Sequence, residues 1–161
     1  MSTPPALRSH VANLLRWRKA HATFDDAVEG IPSDYYGTVP DGHPHSLWQL
    51  LEHMRRAQRD VLDYCREPDY TELDWPDDFW PDTKAPDSQM EWADSVIAFR
   101  RDLNAMVTLV ENPDVDLLAE IPHASDGHTF LREALLVADH NAYHVGQMIS
   151  VRRSLGLWEE G

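Results

Sequence analysis

The sequence predicts an all-α domain. Four stretches carry apolar residues at helical spacing, three segments rich in Pro, Asp and Gly separate them, and no strand-like alternation of useful length occurs. The 161 residues, 42% of them apolar and 26% charged, fit a single domain spanning 1–161 and leave too little for two ordinary ones. Folding at this length hides roughly 70% of the surface an unfolded chain exposes, so the core needs neither disulfides nor a structural metal.

The first helix is expected from about Pro5 to Val28, with Pro at its first turn and Leu7, Val11, Leu14, Leu15, Phe24 and Val28 on one side. Gly30, Ile31 and Pro32 end it. The second starts at Ser46, whose hydroxyl and the amide of Gln49 form a capping box, and continues to about Cys65. The third has the same device in Ser88 and Glu91. After it Trp92, Val96, Phe99, Leu103, Met106 and Val110 alternate spacings of three and four. The fourth starts near Thr129, runs through Phe130, Val137, Asn141, Met148, Val151 and Leu155, and closes near Gly156. Gly146 within it reads as a point of close approach for another helix.

Between helices two and three lie about twenty residues, Arg66 to Pro86. Extended, they outreach a 20-residue helix of roughly 30 Å, which leaves the two helices free to run parallel. Its four prolines, and seven acids between Glu67 and Asp82, would suit a disordered linker, but Trp75, Phe79 and Trp80 favour a loop ordered against the bundle.

Twenty-eight acids against fourteen bases give a formal charge of −14, which repels polyphosphate and anionic lipid; neither nucleic acid nor a membrane is an expected partner. The one short basic cluster, Arg16 to Lys19, sits within a helical pattern. A lone Cys65 excludes an intramolecular disulfide framework and a Cys-rich zinc site, in keeping with a reducing cytoplasm. Met1 to His10 show no leader pattern, and the longest apolar run is Ala134 to Ala138, so a soluble, unprocessed protein is expected.

Nine histidines are more than this length leads one to expect. His43 and His45 precede helix two, His123 and His128 precede helix four, and His10 and His21 lie on helix one; each reads as exposed or hydrogen-bonded. His140 and His144 differ, because a spacing of four sets both imidazoles on one face, one turn apart, the spacing with which a helix offers two ligands to one metal. That face is the apolar one. A buried imidazole pair needs partners for its nitrogens, and metal ligation and satisfied core histidines both answer that need. His53, at the border of the apolar stripe of helix two, is the third candidate; with it the set becomes the three-histidine type that leaves a position open for water or substrate.

The segment Trp48-Gln-Leu-Leu-Glu-His53-Met, with Asp139-His-Asn-Ala-Tyr-His144-Val-Gly-Gln147, resembles the DinB-like superfamily of metal-binding proteins, also described as DinB/YfiT-like metal-dependent hydrolases. The resemblance implies a four-helix bundle with a long crossover between helices two and three, and a divalent metal on three histidines, here His53, His140 and His144. Zn²⁺ or Ni²⁺ leads, with Mn²⁺ and Fe²⁺ as alternatives. Asn141 follows His140 where a zincin requires its glutamate base, which argues against that class of protease. Glu133, three turns before His144, and Asp60, two turns after His53, lie near the directions of those rings as candidate supporting groups or bases, although solvated surface carboxylates show the same pattern. Gln147 fits either a hydrogen bond near the site or a helix interface.

Three functions follow in order. The first is a metal-dependent enzyme acting on a small molecule, either a hydrolase or an S-transferase that uses a low-molecular-weight thiol; the family includes both. The second is a non-enzymatic metal- or ligand-binding module. The third is a structural bundle that self-associates through aromatics such as Trp17, Trp75 and Trp80. A homodimer is compatible with all three. Metal binding needs neutral imidazoles, so loss of metal is expected as pH falls through about 6.5.

Overall fold

Thr23, expected in the middle of the first helix, is a helix N-cap. Its hydroxyl accepts the Asp26 backbone N–H, and the Asp26 carboxylate accepts the Thr23 backbone N–H in return, so a new helix starts here. The computed structural model describes residues 3–16, 21–124 and 127–158. Among them the single first helix is replaced by two, α1 (Pro5–Leu15) and α2 (Phe24–Val28), followed by α3 (Leu47–Arg66), α4 (Gln89–Glu111) and α5 (Phe130–Ser154). The signal was present as a Thr-x-x-Asp box, which an apolar period running through it conceals. Trp17 to Lys19, with most of the basic cluster, lie outside the described residues.

No β-strand occurs among the described residues, only an isolated antiparallel bridge between Glu120 and Thr129. The all-α class therefore holds. Ser46 and Gln49 form the expected capping box at α3. At α4 only half of it forms: Ser88 Oγ accepts from the Glu91 backbone, but the Glu91 carboxylate turns to the Asp87 N–H at 2.5 Å, one residue earlier than expected.

Contacts between α3 and α4 advance in the same sense along both. Ser46 Oγ donates to the Lys84 carbonyl just before α4, and Gln58 Nε2 donates to the Phe99 carbonyl one stage further on. The two helices run parallel, while α5 returns against α3: His53 meets His144, Gln58 meets Asn141, and Tyr64 meets His128 just before α5. α1 packs on α4 and α5, held by Arg8, whose guanidinium donates to the carbonyls of Val110 and Val115.

Two adjoining apolar clusters form the core. One gathers Phe24, Leu47, Trp48, Leu51, Phe99 and Met148; the other gathers Leu15, Leu62, Met106, Val110, Leu117 and Val137. Gln58 and Asn141, both fully buried, cross from α3 to α5. Gly146 is exposed, and a side chain there would meet nothing within 4 Å, so it is not the expected point of helix approach. The close approach occurs instead at Gly37, where a Cβ would stand 2.5 Å from that of Ala85.

The segment between α3 and α4 is ordered against the bundle. Arg56 Nη1 donates to the carbonyls of Asp78 and Trp80, and Trp48 Nε1 donates to Thr83 Oγ1. Its acidic residues face outward while its aromatic and carbonyl groups turn to α3, which is why an acid-rich sequence still folds here.

Candidate metal centre

One turn past the N-terminal stretch of α3, His53 is buried to 2% exposure beneath the returning segment. Its Nδ1 donates to the Phe79 carbonyl at 3.0 Å, an acceptor with no proton to give, so in the neutral ring the lone pair lies on Nε2. His144 is fixed in the same manner on α5: Nδ1 donates to Gln147 Oε1 at 2.7 Å, and Gln147 Nε2 donates onward to the Tyr143 hydroxyl. That again leaves the lone pair on Nε2. His140 stands one turn before His144, with its Nε2 3.1 Å from Nε2 of His53.

The three expected histidines thus meet. One ring nitrogen from each lies within 4.8 Å of the others, and ring centroids are 4.5 to 5.0 Å apart. Zn–N bonds of about 2.0–2.1 Å in a tetrahedral set separate ligand nitrogens by about 3.3 Å, comparable with the 3.1 Å between His53 and His140. The donor set fits a divalent ion: three neutral imidazoles, two with the outer nitrogen already committed to an acceptor.

Burial lowers the pKa of all three rings. His53 and His144 fall to about 4, chiefly through desolvation, with the other imidazoles adding repulsion between the protonated forms. For His140 the shift is also downward and caused by burial, opposed by the neighbouring Asn141 amide and the Asp139 charge. The metal-free rings therefore resist protonation below the ordinary histidine range.

The aromatic residues of the middle segment are part of the site. Trp80 lies flat on His53, centroids 3.9 Å apart and planes 4° apart, and His45 stacks on the far face of the same indole at 4.1 Å. Trp80 is half-buried in this stack, not a free face for self-association; Trp75 remains 69% exposed. Sequence reasoning missed His45 and Trp80 as neighbours of the triad, because both sit in irregular chain whose fold no periodicity reveals.

The three candidate supporting residues part company. Gln147 touches His144 directly. Glu133 is buried, but its carboxylate meets Arg132 Nη1 at 2.6 Å and His128 Nδ1 at 3.3 Å. Asp60 accepts from the Tyr70 hydroxyl at 2.8 Å and lines a cleft that also reaches His140; burial pushes its pKa up. Cys65 is buried, with its thiol pushed up to about 12 by desolvation.

Fold and site together define a helical bundle with a histidine triad able to hold a metal ion between two antiparallel helices. The family model of the DinB superfamily matches residues 16–148, most of the chain and all three histidines, and the chain belongs to that superfamily. Comparison with curated proteins and with solved structures gave no significant match. No helix among the described residues is long and apolar enough to cross a membrane.

Proposed function

We propose that this protein is a cytoplasmic metal-dependent enzyme acting on a small molecule, with His53, His140 and His144 holding one divalent ion, zinc or nickel foremost. The observation that carries the reading is the locked arrangement of the triad. Phe79 O and Gln147 Oε1 select the tautomers that present Nε2 of His53 and His144, and His140 Nε2 faces the first of these at 3.1 Å. A bound ion would supply Lewis acidity and lower the pKa of a coordinated water or thiol.

The chain's own groups orient and desolvate. Trp80 covers one face of His53 and excludes water from it, while Arg56 holds the segment that carries Trp80 in place. Asp60 is the carboxylate that shares a cleft with His140, placed to take up a proton there. Hydrolysis and thiol transfer both remain within the proposal. In a transferase the sulfur comes from a low-molecular-weight thiol, since Cys65 is buried and its thiol stays protonated at neutral pH.

One observation favours a non-catalytic ligand-binding module as the second reading: the nearby acids are engaged, Asp60 by Tyr70 and Glu133 by Arg132 and His128. Elemental analysis of protein purified without an affinity tag, beside His53→Ala and His144→Ala, tests the metal. Near one ion per chain, lost in both variants with helicity retained, supports the proposal; no uptake of zinc, nickel or manganese sinks it. Turnover of the reloaded protein, with and without added thiol, then separates hydrolase, transferase and module.

A further inference from the structure

His53 and Arg56 stand three residues apart on α3, side by side on the face that meets the middle segment, and together they engage three successive carbonyls of it. Arg56 Nη1 donates to the carbonyl of Asp78 at 3.2 Å and to that of Trp80 at 3.0 Å. The carbonyl between them, that of Phe79, accepts from His53 Nδ1 at 3.0 Å. Peptide units are planar, so pinning the oxygens on both sides leaves the Phe79 carbonyl little freedom to turn. The acceptor that selects the tautomer of His53 is therefore aimed by Arg56.

Arg56 is itself held by α3. Its Nε lies 3.4 Å from Oε2 of Glu52, a residue 4% exposed and one turn earlier. Burial pushes the Glu52 carboxyl up, but hydrogen bonds from Arg55 and Ser95 and the charges of Arg55 and Arg56 outweigh it and hold the group below its ordinary value. Glu52 is bound more closely to Arg55, at 2.7 and 2.8 Å, so loss of Arg56 leaves no unpaired buried charge. The middle segment also keeps its bonds from Trp48 to Thr83 and from Ser46 to the Lys84 carbonyl, neither of which reaches Phe79. Arg56 can thus be replaced with the fold kept and its effect on His53 read directly.

We propose that Arg56 is a positioning residue of the metal centre: by bracketing Phe79 it keeps the His53 proton on Nδ1 and leaves Nε2 open for the ion. Its use in metal binding rests on the function proposed above, but the bracket acts on the ring itself and is present without metal.

Metal-free protein labelled with ¹⁵N in its histidines is studied near neutral pH by long-range ¹H–¹⁵N spectra, which tell a protonated ring nitrogen from a bare one; the His53 signals are assigned with His53→Gln. The parent should show His53 with its proton on Nδ1. In Arg56→Met that ring should pass to a mixture with the Nε2–H form, while His144, held by Gln147, stays as in the parent. Zinc affinity of the same variant should fall about tenfold, the loss that follows removal of a group that orients a ligand. Arg56→Lys keeps the charge but lacks the fork that spans Glu52 and both carbonyls, so it should show a smaller change in both readings; it carries the comparison where Arg56→Met does not fold. A parent with the His53 proton on Nε2, a tautomer unchanged in the variants, or a changed tautomer with the parent's zinc affinity overturns the inference. A parent that takes up no zinc but shows the tautomer change refutes the metal-dependent enzyme and leaves Arg56 in its positioning role.

Discussion

Trp80 and His53 are stacked face to face, 3.9 Å between centroids, and the Nδ1–H of the same His53 donates to the carbonyl of Phe79, the residue just before Trp80. One short stretch of chain therefore sets the plane, the tautomer and the dryness of one ring. Trp80→Ala should remove the cover, let water reach the imidazole and move its pKa back toward the ordinary value. The lost stack is worth about 0.5–1.5 kcal/mol of stability. Zinc affinity at pH 6, measured by calorimetry, is expected to fall about tenfold, an effect of the size found for groups that orient a ligand. Trp80→Phe should recover most of it; an unchanged affinity in Trp80→Ala would show that the indole has no part in the site.

Gln147 acts on the other fixed ring. Its Oε1 holds the Nδ1 proton of His144, and its own amide is oriented by Tyr143. Gln147→Leu should release the tautomer and weaken metal binding by about 10–100-fold. The residue is only half-buried, so thermal stability should stay close to the parent's. Gln147→Glu keeps an acceptor and should restore binding. Equal affinities in all three proteins would make this contact incidental.

The lowered pKa values give the metal-free protein a characteristic acid response. His53 and His144 titrate at about 4 in the fold against an ordinary 6.5 in the unfolded chain, so between these limits the unfolded chain binds more protons. Stability from the neutral rings is thus complete above about 6.5 and is lost as pH falls through about 4. Denaturant unfolding at several pH values between 7.5 and 4 should show a shallower decline in His53→Gln/His144→Gln than in the parent. The loaded protein should keep its metal to lower pH than exposed histidines allow, because protons compete poorly for these nitrogens. Parallel pH profiles for the parent and the double variant would contradict both the burial and its consequence.

What the sequence revealed and what it hid follow from the range of the interactions. The caps Ser46 and Thr129, and the pairing of His140 with His144, depend on neighbours three or four residues away, and α3, α5 and the i, i+4 pair were legible for that reason. His53 was a candidate from its place at the border of the apolar stripe of helix two, and the family resemblance joined it to a pair 87 residues away. The break at Thr23 was local but masked by a continuing apolar period. The stack of His45, Trp80 and His53, and the pairing of Gln58 with Asn141, arise only when α5 and the middle segment close on α3, and no spacing in one stretch of chain encodes them.

Gly146 and Gly37 separate two uses of glycine that look alike in sequence. Gly146 lies inside α5, within two residues of His144, and a Cβ would meet nothing within 4 Å. Ala there removes backbone freedom from the unfolded chain and contacts nothing in the folded one, so Gly146→Ala should stabilise by about 0.5–1 kcal/mol. Metal affinity should be unchanged, since the new methyl group projects away from neighbouring elements. At Gly37 a Cβ would press on the Ala85 methyl at 2.5 Å and on the Lys84 carbonyl at 3.2 Å, the stretch that Ser46 and Trp48 bind to α3. Gly37→Ala should cost about 1–3 kcal/mol, as overpacking does. Because the strained stretch continues from Trp80, that variant should also lose zinc affinity. Chemical denaturation and zinc calorimetry on the two variants measure both effects; destabilisation by Gly146→Ala would restore the close helix approach that its place in the sequence suggested.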